Sequence, residues 1–513
     1  MKILEISEET KKIVKKNNDM INVFYQFFVH KNPERQKEIV ECLKFNVNNK
    51  FITNIYLLNE KIYTDVELGV NDSKIIQINI NKRLMFSDVY RYINDNDIKG
   101  YNVLINADIF FDNSIENLKW SDIHINKKMF ALLRFEYDRK NIKKSKIFGP
   151  RFDSMDTWII HSNFNIKPEW YKVFDFEFGK PGCDNKLIYL MKILGYTVLN
   201  DPNYIKTYHN HMSQQRDYTI KDVIQKPWGF IAPYGMDLNL YQPSCGVDLM
   251  MIRQYTKNFS EITFDDNTKI YNYILKKLNN NNTFIIPMID IIENNYVVLS
   301  TVVKPENIEK LLETKNTGIK ITSVDSYFKF CDMYLKAFEN CELFLGWDIQ
   351  GEYSRSHDII KNKYNKKIIW ANILDIFHYI YKTPWTISLK GKRILIISPF
   401  DITEKIPIRE KIYGIDLFPE CEIINIVSQV QDIDSIYEKL DMIKDNYDIA
   451  LVSCKGYSNM ICNYIYENHK KSSINVGNVL GMYFGIISPQ WIKDRPDILK
   501  LFMNSYWSLE ELI

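Results

Sequence analysis

Short apolar runs separated by helix-spaced segments dominate the first part of the chain. Residues 23–29 (Val-Phe-Tyr-Gln-Phe-Phe-Val) are almost continuously apolar and end before Asn32-Pro33, the pattern of a buried strand rather than an alternating, half-exposed one. Residues 34–46 place Ile39, Val40 and Leu43 on adjacent faces of a helix. Strands are expected at 52–58, 75–80 and 102–105, with a helix at 86–93. Further strands are expected at 129–135 and 157–160, then a helix over 184–194 that Gly195 stops, and short strands at 197–199 and 205–208. Strands alternating with helices predict a βαβ-type parallel sheet.

From 218 onward Pro227, Pro233 and Pro243 interrupt any periodicity, so 218–280 is read as a connecting segment between a domain at 1–217 and another at 281–513. The second domain shows apolar stretches at 284–287 and 296–303 and a helix over 327–339. Evenly spaced strand patterns follow at 393–397, 424–427, 449–452 and 474–476. The expected fold class is α/β, with two Rossmann-like domains.

The composition changes this picture little. Hydrophobic residues make up 46% and charged residues 25% of 513 positions, ordinary for globular protein, and a net charge of +2 does not ask for nucleic acid or an anionic membrane. The eight cysteines form no CxxC pair, which fits free thiols in a reducing compartment better than disulfides or a zinc site. The start lacks a secretory apolar region, and no apolar run approaches the roughly 18 residues of a membrane span, so a cytoplasmic protein is expected. The phosphate-binding motif GxxxxGK[ST], a GxGxxG turn, a GxSxG elbow and a kinase catalytic loop are all absent from the sequence.

The candidate chemistry starts where the strand at 102–105 ends, in Asn106-Ala-Asp108-Ile-Phe-Phe-Asp112. A carboxylate at the carboxyl edge of an open α/β sheet lies where such sheets bind ligands, and hard oxygen donors there suit Mg²⁺ or Mn²⁺ on a diphosphate. The competing reading of Asp108 and Asp112 is a turn cap. In Gly179-Lys-Pro-Gly-Cys-Asp184-Asn185 a Gly/Pro loop delivers Asp184 to a helix start, as a general base aimed at a cleft or as a plain cap. His209 and His211 sit two apart on an extended segment and face one side, where either can complete a divalent site or contact a phosphate. Asp156 and Trp158 are candidates to hold a sugar, the indole by stacking; the alternative for Trp158 is a core position at the start of a strand.

In this order the pieces resemble a nucleotide-sugar glycosyltransferase of the GT-A type, over Phe24 to about Tyr218. The resemblance rests on Phe24-Tyr-Gln-Phe-Phe, Tyr56-Leu-Leu-Asn59-Glu60, Asn81-Lys-Arg83, Asn106-Ala-Asp108, Asp156-Thr-Trp158, Pro181-Gly-Cys-Asp184-Asn185 and His209-Asn-His211. It implies that Phe27, Phe28, Asn59 and Arg83 line a nucleotide pocket and that Asp108 is the last acid of the family's DxD metal motif. Asn106 stands at the motif's first position, a departure that weakens metal affinity. It also implies that Asp184 is the base of an inverting member and that His209 or His211 completes the metal or diphosphate site. Mn²⁺ or Mg²⁺, a UDP- or GDP-sugar donor and a glycan or glycoprotein acceptor follow from the same likeness.

Residues 283–490 are similar to a rarer type, GT-D. Glu293 matches the acid of its RFGDGE-like motif, but Met288 and Ile291 stand where that motif carries Arg and Asp. Ser453 and Gly456 lie in a turn, Ser453 to Tyr457, whose backbone N–H groups are expected to cradle a nucleotide phosphate. The second domain is thus either a second transferase or a degenerate scaffold. The leading expectation is sugar transfer from a nucleotide donor to an acceptor hydroxyl. A non-catalytic glycan- or nucleotide-sugar-binding scaffold and a nucleotidyltransferase are the alternatives.

Overall fold

The computed structural model describes residues 16–213, 219–225, 228–234, 262–289, 323–346, 360, 363–428, 433–494 and 496–509. The chain forms two compact units, Met1–Ser260 and Glu261–Ile513. Both are α/β and Rossmann-like.

The first unit carries strands β1 (Ile21–Tyr25), β2 (Asn54–Asn59), β3 (Ile75–Asn79), β4 (Tyr101–Ile105), β5 (Ile109–Phe111), β6 (Lys128–Leu132), β7 (Phe135–Glu136), β8 (Lys146–Ile147), β9 (Thr157–His161), β10 (Thr197–Leu199) and β11 (Thr207–His209). Its main helices are α1 (Pro33–Asn48), α2 (Phe86–Asp95) and α3 (Cys183–Ile193). A seven-stranded sheet has the order β10-β6-β9-β4-β1-β2-β3. The strands β4, β1, β2 and β3 run parallel, and β9 runs antiparallel to both β4 and β6. Every residue of β1 and β4 is buried, which explains their uninterrupted apolar pattern: both faces of a parallel sheet are covered. The start of α1 is set by Asn32, whose Oδ1 accepts from Glu34 N at 2.8 Å, with Pro33 placed where no intrahelical donor is needed.

A smaller sheet, β5-β11-β7-β8, lies past the end of β4. Antiparallel pairing sets Ile109 opposite His209, and the register continues into a bond from Asn210 N to the Asp108 carbonyl at 2.9 Å. Two segments far apart in sequence are thereby fixed side by side.

Three sequence expectations differ in detail. The first strand ends at Tyr25, because the Gln26 side chain turns to bond Lys82 O at 3.0 Å and Leu84 N at 3.2 Å. The single strand expected at 129–135 is two, β6 and β7, broken where Leu133 N donates to Asn200 Oδ1 at 3.0 Å instead of to a neighbouring strand. The segment 218–280 is not a simple connection. Its residues 228–234 are strapped to the first unit, through Gly229 N to Asn185 O at 2.8 Å and Ile231 N to Phe152 O at 3.1 Å. A Cβ on Gly229 would stand 2.8 Å from Tyr189 N, so this close approach needs glycine. Helix α4 (Ile262–Asn279), in the same segment, belongs to the second unit, where Asn267 bonds Thr383 O at 2.8 Å and Trp385 N at 3.0 Å.

The second unit adds β12 (Ile285–Ile286), β13 (Met288–Ile289), β14 (Leu343–Gly346), β15 (Lys367–Trp370), β16 (Arg393–Ser398), β17 (Glu422–Val427), β18 (Ile449–Val452) and β19 (Ser472–Asn475). The sheets β12-β19-β18-β16-β17 and β13-β14-β15 are parallel throughout. They meet at Pro287, which has no N–H to give either ladder but whose carbonyl accepts from Leu345 N at 2.8 Å. Residues 296–303, read as apolar strand, lie outside the described residues. The seven cysteines among the described residues are buried and joined in no disulfide. No helix among them is long and apolar enough to cross a membrane.

Candidate metal centre and substrate cavity

The carboxyl edge of β4 and β1 opens into a cavity of about 1170 Å³, lined in part by Phe28, Arg35, Arg83, Asn106, Asp108, Asp156, Asp184, His209 and His211. That volume is at the upper end of the range of small-molecule sites.

On one wall Asp108, His209 and His211 bring a ligand atom each to within 4.8 Å of one another, all three buried. His209 Nε2 stands 3.2 Å and His211 Nδ1 3.8 Å from Asp108 Oδ2. Both histidines therefore face one carboxylate oxygen, as the two-residue spacing on an extended segment predicts. Burial opposes ionisation of Asp108, but His209 and the Arg35 guanidinium outweigh it and hold the carboxyl well below the usual range. Burial likewise disfavours charge on His209, yet Asp108 carries the imidazole up to about 9. The donor set, two imidazoles and one carboxylate, fits a divalent transition metal better than Mg²⁺, which takes oxygen and water.

A chain of polar contacts runs from this wall to Asp156. His209 Nδ1 lies 3.1 Å from Glu136 Oε2, Arg134 Nε donates to Glu136 Oε1 at 2.9 Å, and Arg134 Nη1 donates to Asp156. Asn106 Nδ2 donates to the other Asp156 oxygen at 2.8 Å. Asn106 thus orients Asp156 through its amide; it offers no charge to a cation.

Asp184 is in the first turn of α3, where the cap is Gly182 at φ 81°, so it is free of the capping role. Its Oδ2 accepts from Met155 N at 3.0 Å. Burial first, and then the negative charge of Asp156, raise its pKa to about 7. A carboxyl poised near neutrality on a cavity wall is suited to take a proton from a hydroxyl.

Several expected site residues stand elsewhere. Phe27 is fully buried in the core against Tyr63, and only Phe28 reaches the cavity. Asn59, also fully buried, accepts from Phe27 N at 2.8 Å and donates to Gln77 at 3.3 Å, so it holds the strand end rather than a nucleotide. Trp158 is 1% exposed and meets Phe86 and Phe178 edge to face at 5.2 and 5.9 Å. The reading of Trp158 as a sugar platform is corrected: it is a core residue, because β9 lies inside the sheet. Arg83 does line the cavity, its Nη2 on Phe178 O at 3.0 Å and its Nε 3.2 Å from Glu177. Asp112 caps the following turn, accepting from Ser114 N at 2.8 Å.

In the second unit Ser453 and Gly456 lie just past the end of β18. The expected phosphate cradle there is largely spent within the fold: Ser453 N donates to Ile397 O at 2.8 Å, Cys454 N to Ser458 Oγ at 2.7 Å and Tyr457 N to Cys454 O at 3.1 Å. Glu293 lies outside the described residues.

The sequence reading missed Arg35, Arg134 and Glu136. Arg35 carried a signal: a cation in a helix's first turn opposes the macrodipole and needs a reason. So did Arg134 and Glu136, two charges two apart within an apolar run.

No protein-family model matches the chain. No curated protein matches it. Among solved structures, one similar chain is a putative glucose-1-phosphate thymidylyltransferase from Bacillus anthracis, in complex with a sucrose. It is 13% identical, covers 35% of this chain and 86% of its own, and has a TM-score of 0.21, a likeness that carries no weight for function.

Proposed function

We propose that the first unit is a metal-dependent glycosyltransferase of the GT-A type, moving a sugar from a nucleotide-sugar donor, a UDP- or GDP-sugar, to an acceptor hydroxyl on a glycan or glycoprotein. One observation carries the reading. A buried carboxylate and two histidines converge on the wall of a cavity that also exposes an acid poised near neutrality. Asp108, His209 and His211 would hold Mn²⁺ or Mg²⁺, which when bound supplies positive charge to the departing diphosphate.

The protein's own groups do the rest. Asp184 accepts the acceptor's proton, worth roughly a hundredfold to ten-thousandfold in rate. Asp156, fixed by Arg134 and Asn106, presents a carboxylate to sugar hydroxyls. Arg83 and Phe28 line the cavity for the nucleotide. Asp184 has the base role only in an inverting reaction.

The test is a nucleotide-sugar panel with Mn²⁺, read as nucleoside diphosphate release. Release that depends on acceptor supports transfer. Pyrophosphate release instead would make the chain a nucleotidyltransferase, and thermal stabilisation by a donor without release would make it a binding protein. Two histidines and one carboxylate also form the donor set of non-haem iron oxygenases; running the panel without oxygen, with Mn²⁺ as sole metal, separates that reading. For the second unit we propose only a Rossmann-like scaffold, in place of a GT-D-type transferase, because the turn at Ser453 has used most of its donors internally.

A further inference from the structure

Arg35 sits where its helix does not favour it. It lies in the first turn of α1, where N–H groups already present partial positive charge and an acid is the favourable residue. Its side chain is only 10% exposed. Nη1 is 3.1 Å from Glu38 Oε2, and Nη2 is 2.5 Å from Asp108 Oδ2. That oxygen is the one both histidines face. A cation held by Asp108, His209 and His211 would share this oxygen with the guanidinium, and the two positive charges would repel. An arginine in a protein does not lose its proton to make way, so its charge stays beside the cation unless the side chain swings aside.

We propose that Arg35 is a resident counter-cation of the metal carboxylate, competing with the divalent cation for Asp108 Oδ2 and so keeping the affinity for the cation alone low. The inference rests on the metal reading above. In the cation-free protein the guanidinium offsets the charge of Asp108 and weakens its pull on a cation. Glu38 stays charged, but its oxygens are engaged by Arg35 and by Ser213 N and Oγ, the last two at 2.8 and 2.9 Å. An anionic ligand entering the same cavity, which Arg35 lines, gives the guanidinium another partner and frees the oxygen. Metal and a phosphate-bearing ligand then bind more tightly together than apart.

The experiment titrates Mn²⁺ alone into the full chain, reading free ion by electron paramagnetic resonance. Wild type is compared with Arg35→Met, Arg35→Lys and His209→Ala. Arg35→Met is expected to bind Mn²⁺ on the order of tenfold more tightly. Arg35→Lys, which keeps the charge but loses the fork, should fall between Arg35→Met and wild type. Equal or weaker binding by a folded Arg35→Met, with His209→Ala defective, overturns the inference and leaves the metal reading standing. Mn²⁺ binding unchanged in His209→Ala overturns both. Should Arg35→Met not fold, wild-type crystals soaked in MnCl₂ decide the matter. The Nη2–Oδ2 contact is expected to open, and its persistence with the ion bound overturns the inference.

Discussion

His209 Nδ1 faces Glu136 Oε2 at 3.1 Å while its Nε2 faces Asp108 at 3.2 Å, so the ring is held between two carboxylates. Burial raises the Glu136 acid, but His209 and Arg134 outweigh it and bring it down to about 2, so it stays charged at working pH. A carboxylate behind a ligating imidazole fixes the ring's orientation and raises its basicity. Glu136→Gln should therefore cost roughly 10- to 100-fold in Mn²⁺ affinity, measured by calorimetry. An unchanged affinity would remove Glu136 from the support of His209.

Asp184 gives the pH dependence. Its folded pKa, about 7, is above its ordinary 3.8, so the folded state binds this proton more tightly than the unfolded chain does. It costs no stability below the ordinary value, and a penalty builds as pH rises to about 7. Activity has the opposite sign, because only the ionised form accepts a proton. In an inverting reaction kcat/KM should rise through pH about 7 and then level. Asp184→Asn should lose roughly a hundredfold to ten-thousandfold in kcat, flatten that limb and be more stable than wild type at alkaline pH. An alkaline-rising limb that survives in Asp184→Asn would assign the base elsewhere.

Asn59 and Trp158 should behave as structural residues. Asn59→Ala strands the buried N–H of Phe27 and is expected to cost about 1–3 kcal/mol in denaturant unfolding. Trp158→Ala should cost about 3–5 kcal/mol. Trp158→Phe should lower stability while leaving donor KM unchanged. A several-fold rise in KM at unchanged stability would restore the indole to the sugar site.

These contrasts show what the sequence made legible. Buried parallel strands announce themselves by continuous apolar runs, so β1, β2 and β4 and the position of Asp108 past a strand end could be read directly. The strand pairing of Ile109 with His209 could not, because register depends on contacts far apart along the chain. Near a strand's end the pattern does not say which face a side chain takes. Phe27 turned into the core and Phe28 to the cavity, though one follows the other. The signals at Arg35 and Glu136 were weak for a different reason: a charged residue is by default a solvated one, and only tertiary partners show what such a signal means.

In the proposed reaction Asp108 anchors the cation on which sugar transfer depends. Asp108→Asn keeps the side chain's shape and removes its charge. The most direct measurement is nucleoside diphosphate release from the responsive donor and acceptor, with Mn²⁺ and after chelation, in wild type and in Asp108→Asn. Release should occur in wild type with Mn²⁺ and be lost on chelation and in the variant. Release that persists in both would contradict the account.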